Sequence, residues 1–240
     1  RAFTQRFFGE GLDQAQAPWF GHLPRWNTTR RIWQFFSPAL REVLGASAPE
    51  AAIAPTLPDR IAGWTPLGRD QYVEAHTLLS GYLLSAQGDR MAMASSIEAR
   101  FPFLDHRLIE FANRLPPEYK MMGLNEKFIL KQAMAGLLPE DVRTRGKQPY
   151  RSPDSLSFFV DGAPAADYVA ELMSESRIAA AGYFEPVAGR KLYEKCRAGR
   201  AIGFADNMAF VGVLSTMLAD ALLVRGETGL CETAIEVDAA

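Results

Sequence analysis

Three stretches of this chain hold residue types at spacings that suit chemistry. The first is Gly9-Glu10-Gly11-Leu12-Asp13, where glycines bracket Glu10 and Asp13 follows closely. Glycine serves backbone that bends tightly or approaches a ligand. Two such carboxylates can face Mg²⁺, a substrate amine or both, since magnesium takes one or two carboxylates beside phosphate oxygens. Composition by itself is met more simply by a solvated turn. The second stretch is Gly88 to His106, GDRMAMASSIEARFPFLDH. Glu98 and Arg100 lie there between apolar segments, where charges are expected to be partly desolvated and in need of partners. A substrate-facing pair and a structural ion pair, drawn from Glu98, Asp89, Arg90 and Arg100, fit equally well. The third is the basic segment RTRGKQPYRSP, Arg143 to Pro153. Lysine supplies a point charge and arginine a bidentate clamp, so such a loop can close on a polyphosphate. A solvated surface loop is the commoner use of that composition.

The elements that must position these residues are mostly helical. Thr28 or Thr29 is expected to cap a helix through RRIWQFF, and Pro38 to open another through PALREVL. Residues 46–66 are rich in Ala and Pro and read as short turns. Tyr72, Ala75, Leu79, Leu83 and Ala86 recur at helical spacing. Asp105 is placed to cap a helix that buries Leu108, Phe111, Ala112 and Leu115 and ends at Pro116-Pro117. Asn125 is placed to cap the next, with a stripe of Ile129, Leu130, Ala133, Met134, Leu137 and Leu138. The basic segment reads as a loop. Further helices are expected near 164–173, 176–181, 186–198 and 204–224, with a frayed end. There is no internal repeat and no run of alternating strands.

Composition bounds the function classes. The chain has 240 residues, 48% hydrophobic and 22% charged, with net charge −2. That balance is globular and argues against bulk nucleic-acid or membrane-surface binding. Phe204 to Val224 is near a membrane span in length, but it holds Asp206, Asn207 and Asp220 and is expected to be a buried helix. Cys196 and Cys231 fit buried thiols in a reducing, cytoplasmic setting. His22, His76 and His106 lack metal-ligand spacing and read as structural. The start shows no secretory signal. It opens on Arg rather than Met, as a fragment or processed chain does.

The three stretches acquire meaning in order. An acidic Gly loop precedes DRMAMA and EARFPFLDH, then the helix EKFILKQAM, then RGKQPYRSP. This order resembles the C-terminal half of the synthetase domain of glutamine-hydrolysing asparagine synthases, from about Phe8 to Leu222 and most strongly from Asp89 to Pro153. DNMAFVGVLSTML also resembles a late helix of many bacterial members. The implied fold class is a mainly α chain, the helical C-terminal part of an α/β ATP pyrophosphatase domain (adenine nucleotide α-hydrolase-like), most of whose parallel sheet lies outside this chain. The chain is expected to be one partial synthetase domain over 1–240. Residues 1–27 are the acidic loop and lead-in, 28–160 the helical catalytic portion, and 161–240 the C-terminal helices.

The resemblance implies ATP and Mg²⁺ as cofactors, and aspartate or a related carboxylate as substrate. A carboxyl-adenylate would form with loss of pyrophosphate, and ammonia from a separate glutaminase domain would attack it. By position, Glu10 matches the loop glutamate near the activated carboxyl and the incoming amine. Asp13 matches the acid associated with Mg²⁺ and pyrophosphate. Lys147 matches the lysine that holds the phosphates, with Arg145 beside it. Glu98 and Arg100 match an E-x-R pair at or just behind the substrate pocket, and Lys127 a recurring lysine behind it. The family loop usually reads Ser/Thr-Gly-Glu-Gly-Ala-Asp-Glu, where this chain has Phe8, Leu12 and Gln14. An S-G-G-x-D-S pyrophosphate loop and a glutaminase Cys are absent from the 240 residues. The expected partners are therefore a glutaminase domain and the pyrophosphate-loop half, both outside this chain, and a homodimer is an assembly left open. Related amide formers such as β-lactam synthetases, and a non-catalytic helical interaction module, are the competing classes. Helices without the strands they normally cover are expected to expose apolar faces.

Overall fold

The computed structural model describes residues 12–45, 48–148, 154–201 and 203–231. They are mostly helical, and their only strands form two antiparallel hairpins of two-residue strands, Met121–Met122 with Asn125–Glu126 and Phe159–Val160 with Ala163–Pro164. A parallel sheet is absent among the described residues. The chain divides into two compact units, Arg1–Leu23 with Ile53–Gln148, and Pro24–Ala52 with Pro149–Ala240.

The second unit has the dense core. Its central helix is Phe204–Ala219, continued by a wider turn over Asp220–Val224. Ala209, Phe210, Val213, Leu214 and Met217 face inward at three- and four-residue steps. Phe204–Val224 is long and apolar enough to cross a membrane; the side chains just named pack inside the unit while Phe204, Leu223 and Val224 are exposed, so the expected burial holds for one face only. Phe158, Phe159 and Tyr193 gather around Phe210 through edge and tilted ring contacts.

Local sequence explains the flanking helices. Pro186 opens Pro186–Arg197, and the Glu185 carboxylate accepts from the Ala188 N–H at 2.7 Å. Ser174 caps Glu175–Ala181, which ends on Gly182 at φ 79°. Ser37 caps Pro38–Leu44 and also donates to the Gly182 carbonyl at 2.7 Å, tying two helix ends together.

The cap expected at Thr28 or Thr29 is corrected. The helix starts at Leu23, and both hydroxyls donate back to carbonyls four residues earlier, Pro24 and Arg25.

Asp220, 5% exposed, accepts from Tyr183 Oη at 2.9 Å and from Arg225 Nε at 2.5 Å. The Arg225 hydrogen bond holds this carboxyl below its ordinary value, while burial opposes it. A lowered carboxylate value stabilises the fold above the unfolded value, and that contribution fades as pH falls through the folded one. Asp220→Asn is therefore expected to lower the stability of this unit by about 1–3 kcal/mol at pH 7. Native and variant should converge in acid, once pH falls through the lowered folded value. Urea unfolding at both pH values checks this; an equal gap at both would show that the charge is irrelevant.

Cys196 is 2% exposed, and burial pushes its thiol up to about 11. The buried-thiol expectation holds for this residue. Native protein should resist iodoacetamide at pH 8 at Cys196 and react once denatured, read by mass spectrometry of the Cys196 peptide. Rapid native alkylation would contradict that burial.

The first unit is thinly cored. Thr65 caps Pro66–Glu74, which runs on through Ala75–Asp89 and Arg90–Ala94. The middle part is wound more widely, with the Arg90 N–H bonded to the Ser85 carbonyl five residues back. The apolar spacing carries no signal for that widening.

Asp105 caps His106–Arg114 as expected, accepting from the Arg107 N–H at 2.9 Å. The face expected to be buried is not. Phe111 is 58% exposed, and on the following stripe Leu137 is 74% exposed. Among the described residues nothing covers these side chains, so an apolar period marks a face without guaranteeing a partner for it.

The Asn125 cap is also corrected. Asn125 belongs to a hairpin strand, and Lys127, at φ 56°, stands at the start of Phe128–Ala133.

Candidate functional site

The acidic lead-in is held by one helix. Arg69, 6% exposed, donates from Nη1 to the Gln16 carbonyl at 2.8 Å. One turn on, Glu74 Oε2 lies 3.0 Å from His22 Nε2, and Asp70 Oδ1 lies 3.8 Å from Nδ1. Burial pushes the Asp70 carboxyl above its ordinary value, with His22 acting against it. A Cβ at Gly21 would fall 2.4 Å from Asp70 Oδ2, so a side chain there would displace the Asp70 carboxylate. His22 is thus structural, as its lack of metal spacing implied. Asp13 is exposed on the Leu12–Gln14 turn, just ahead of this clamp. Glu10 lies outside the described residues, as do Arg151 and the end of the basic segment.

Glu98 and Arg100 pair with each other at 2.5 Å, with side chains 74% and 75% exposed. The expected desolvation is corrected. Ile97, Phe101 and Phe103 are themselves exposed, so apolar neighbours in sequence do not enclose the pair.

Arg145 and Lys147 come together with Lys127 around a cavity of about 430 Å³. Leu130 lies on Phe128–Ala133, Met134 at its end and Leu138 in the turn beyond, and Phe103 and Val142 complete the apolar wall. Two further cations there are committed to structure. Arg143 grips Glu140 through Nε at 2.8 Å and donates to the Lys131 carbonyl at 3.2 Å. Lys131 Nζ donates to Asn125 Oδ1 at 2.9 Å. The Arg143 hydrogen bonds hold the Glu140 carboxyl below its ordinary value. Arg143, read in sequence as part of a phosphate clamp, instead ties the Glu140–Thr144 turn down. The side chains of Lys127, Arg145 and Lys147 have no hydrogen-bond or ion-pair partner among the described residues.

Such a cavity can receive an anion. Lys127, expected behind a substrate pocket, lines this cavity, and its apolar wall was not read from the sequence. The 130, 134, 138 spacing carried that signal but reads equally as core. Asp13 is a single carboxylate, and no cluster of three metal-ligating side chains occurs among the described residues. That donor set suits Mg²⁺ only together with phosphate oxygens.

The described residues are mostly helical, with an exposed acidic turn and a cavity that three uncommitted cations line. In comparison with known proteins, the asparagine synthase family matches residues 4–220, and the chain belongs to that family. It is 28% identical to "Amidase chry2" of Gibberella zeae over 60% of this chain and 23% of that protein. It is 50% identical to "Asparagine synthetase [glutamine-hydrolyzing] 3" of Bacillus subtilis over 26% of this chain and 10% of that protein. It is 35% identical to "Asparagine synthetase [glutamine-hydrolyzing] 1" of the same organism, over 38% and 14% respectively. The chain therefore spans less than a quarter of the length of these relatives. No solved structure matches it.

Proposed function

We propose that this chain is the helical part of an ATP-dependent synthetase domain that forms an amide on a carboxylate, with aspartate as the first acceptor to test. The observation that carries the reading is the cavity where Arg145 and Lys147, uncommitted to any described partner, converge. The substrate carboxylate oxygen attacks the α-phosphorus of ATP, and pyrophosphate leaves as the acyl-adenylate forms. Ammonia then attacks the acyl carbonyl and AMP leaves, giving the amide and a proton. Lys147 offsets charge on the departing pyrophosphate, and Arg145 clamps phosphate oxygens. Asp13 would hold Mg²⁺, whose charge would offset that of the phosphates, and Glu10 faces the carboxyl and the incoming amine. Glu98 and Arg100 stand at the edge of the substrate site.

The remaining half, with the pyrophosphate loop and the glutaminase, belongs in this proposal to residues or a partner outside the chain, in an adenine nucleotide α-hydrolase-like fold. The exposed apolar faces of the first unit suit such a covering. The setting proposed is cytoplasmic. Pyrophosphate release by the full protein, dependent on both ATP and an acid, is the test. Absence of release with aspartate and with every other acid tried would overturn the reading.

A further inference from the structure

Resting on the amide-forming reading, we infer that the acceptor is a carboxylate with an apolar body, such as an aryl or branched alkyl acid, seated in the Lys127–Lys147 cavity. At about 430 Å³ the cavity falls in the range, roughly 300–1,000 Å³, typical of clefts that enclose drug-sized ligands. Its two sides ask for different chemistry. Phe103, Leu130, Met134, Leu138 and Val142 form the apolar side. Lys127, Arg145 and Lys147 form the cationic side, and Glu126 is the one acid in the lining. Lys131 and Arg143 are consumed by Asn125 and Glu140, which leaves Lys127 for the acceptor's carboxylate beside Arg145 and Lys147, the two cations that the amide-forming reading gives to phosphate.

Aspartate carries charge at both ends and no apolar body, so it would leave five apolar side chains facing water. A polyphosphate alone would use only the cationic side. An anionic head on an apolar body satisfies both.

The test is equilibrium binding to the 240-residue chain by calorimetry, without ATP. The probes are 3-phenylpropionate, aspartate, benzylamine and adenosine. The expected result is binding of 3-phenylpropionate at least about tenfold tighter than each of the other three, a margin of about 1.4 kcal/mol. Met134→Gln and Lys127→Gln should each weaken it about fivefold or more, with circular dichroism unchanged. Leu130→Gln serves in place of Met134→Gln if that variant fails to fold. Preference for aspartate, or for adenosine as in a nucleoside site, overturns the inference, as does unchanged affinity in well-folded variants. The two proposals fail separately. Aspartate-dependent pyrophosphate release without 3-phenylpropionate binding overturns the acceptor class alone. Tight 3-phenylpropionate binding without release from any acid overturns amide formation and keeps the carboxylate site.

Discussion

Lys147→Ala is expected to lower ATP- and acid-dependent pyrophosphate release by the full protein by about 10²–10³ fold. The reason is electrostatic. When pyrophosphate leaves, negative charge grows on oxygens that water would otherwise have to reorganise around. A cation already in place offsets that charge with little reorganisation. Lys147 is suited to this because no described side chain occupies it, whereas nearby Lys131 and Arg143 are engaged in holding the local fold. Arg143→Ala should therefore act differently. Its loss frees Glu140 and the Lys131 carbonyl, so stability should fall alongside rate. Pyrophosphate release measured beside thermal unfolding separates the two residues. If Lys147→Ala leaves the rate unchanged in a folded protein, the role assigned to Lys147 is wrong.

The largest stability effect is expected from Phe210→Ala, about 3–5 kcal/mol. Phe210 is fully buried, and its ring lies 5.7 Å from Phe158 and 5.6 Å from Phe159 between centroids. Truncation loses the transfer energy of the ring and leaves a cavity among neighbours that are themselves pinned. For a unit of this size the midpoint of thermal unfolding should fall by about 10 °C or more. Phe210→Leu should lose much less, because volume is largely kept. Calorimetry on both variants is the check, and a loss under about 1 kcal/mol for alanine would mean the aromatic cluster is not the centre of this core.

The elements differ in how far sequence revealed them. Helices whose caps and packing partners lie close in sequence were legible. Pro38 opens its helix and Asp105 caps the next as read from sequence, while the Ser37 and Glu185 caps, beside Pro38 and Pro186, came only from the structure. Asn125 misled because the same residue type serves turns and hairpins as readily as caps. The Thr28 and Thr29 hydroxyls misled because a carbonyl four residues back competes for them.

The site divides the same way. By itself the sequence determined family membership, the grouping of Arg145 and Lys147, and the Asp105 cap, because each depends on residue identities at short fixed spacing. Only the tertiary structure decided which cations are taken and which are available. The pairs themselves are local, Glu140 with Arg143 three residues on and Asn125 with Lys131 six on, so their spacing was in the sequence while the turn and hairpin geometry that closes them was not. It also decided that Glu98 and Arg100 are solvated, and that Leu130, Met134 and Leu138 wall a cavity rather than fill a core. An apolar period says which side chains share a face. What that face meets depends on residues far away in the chain, which the period cannot encode.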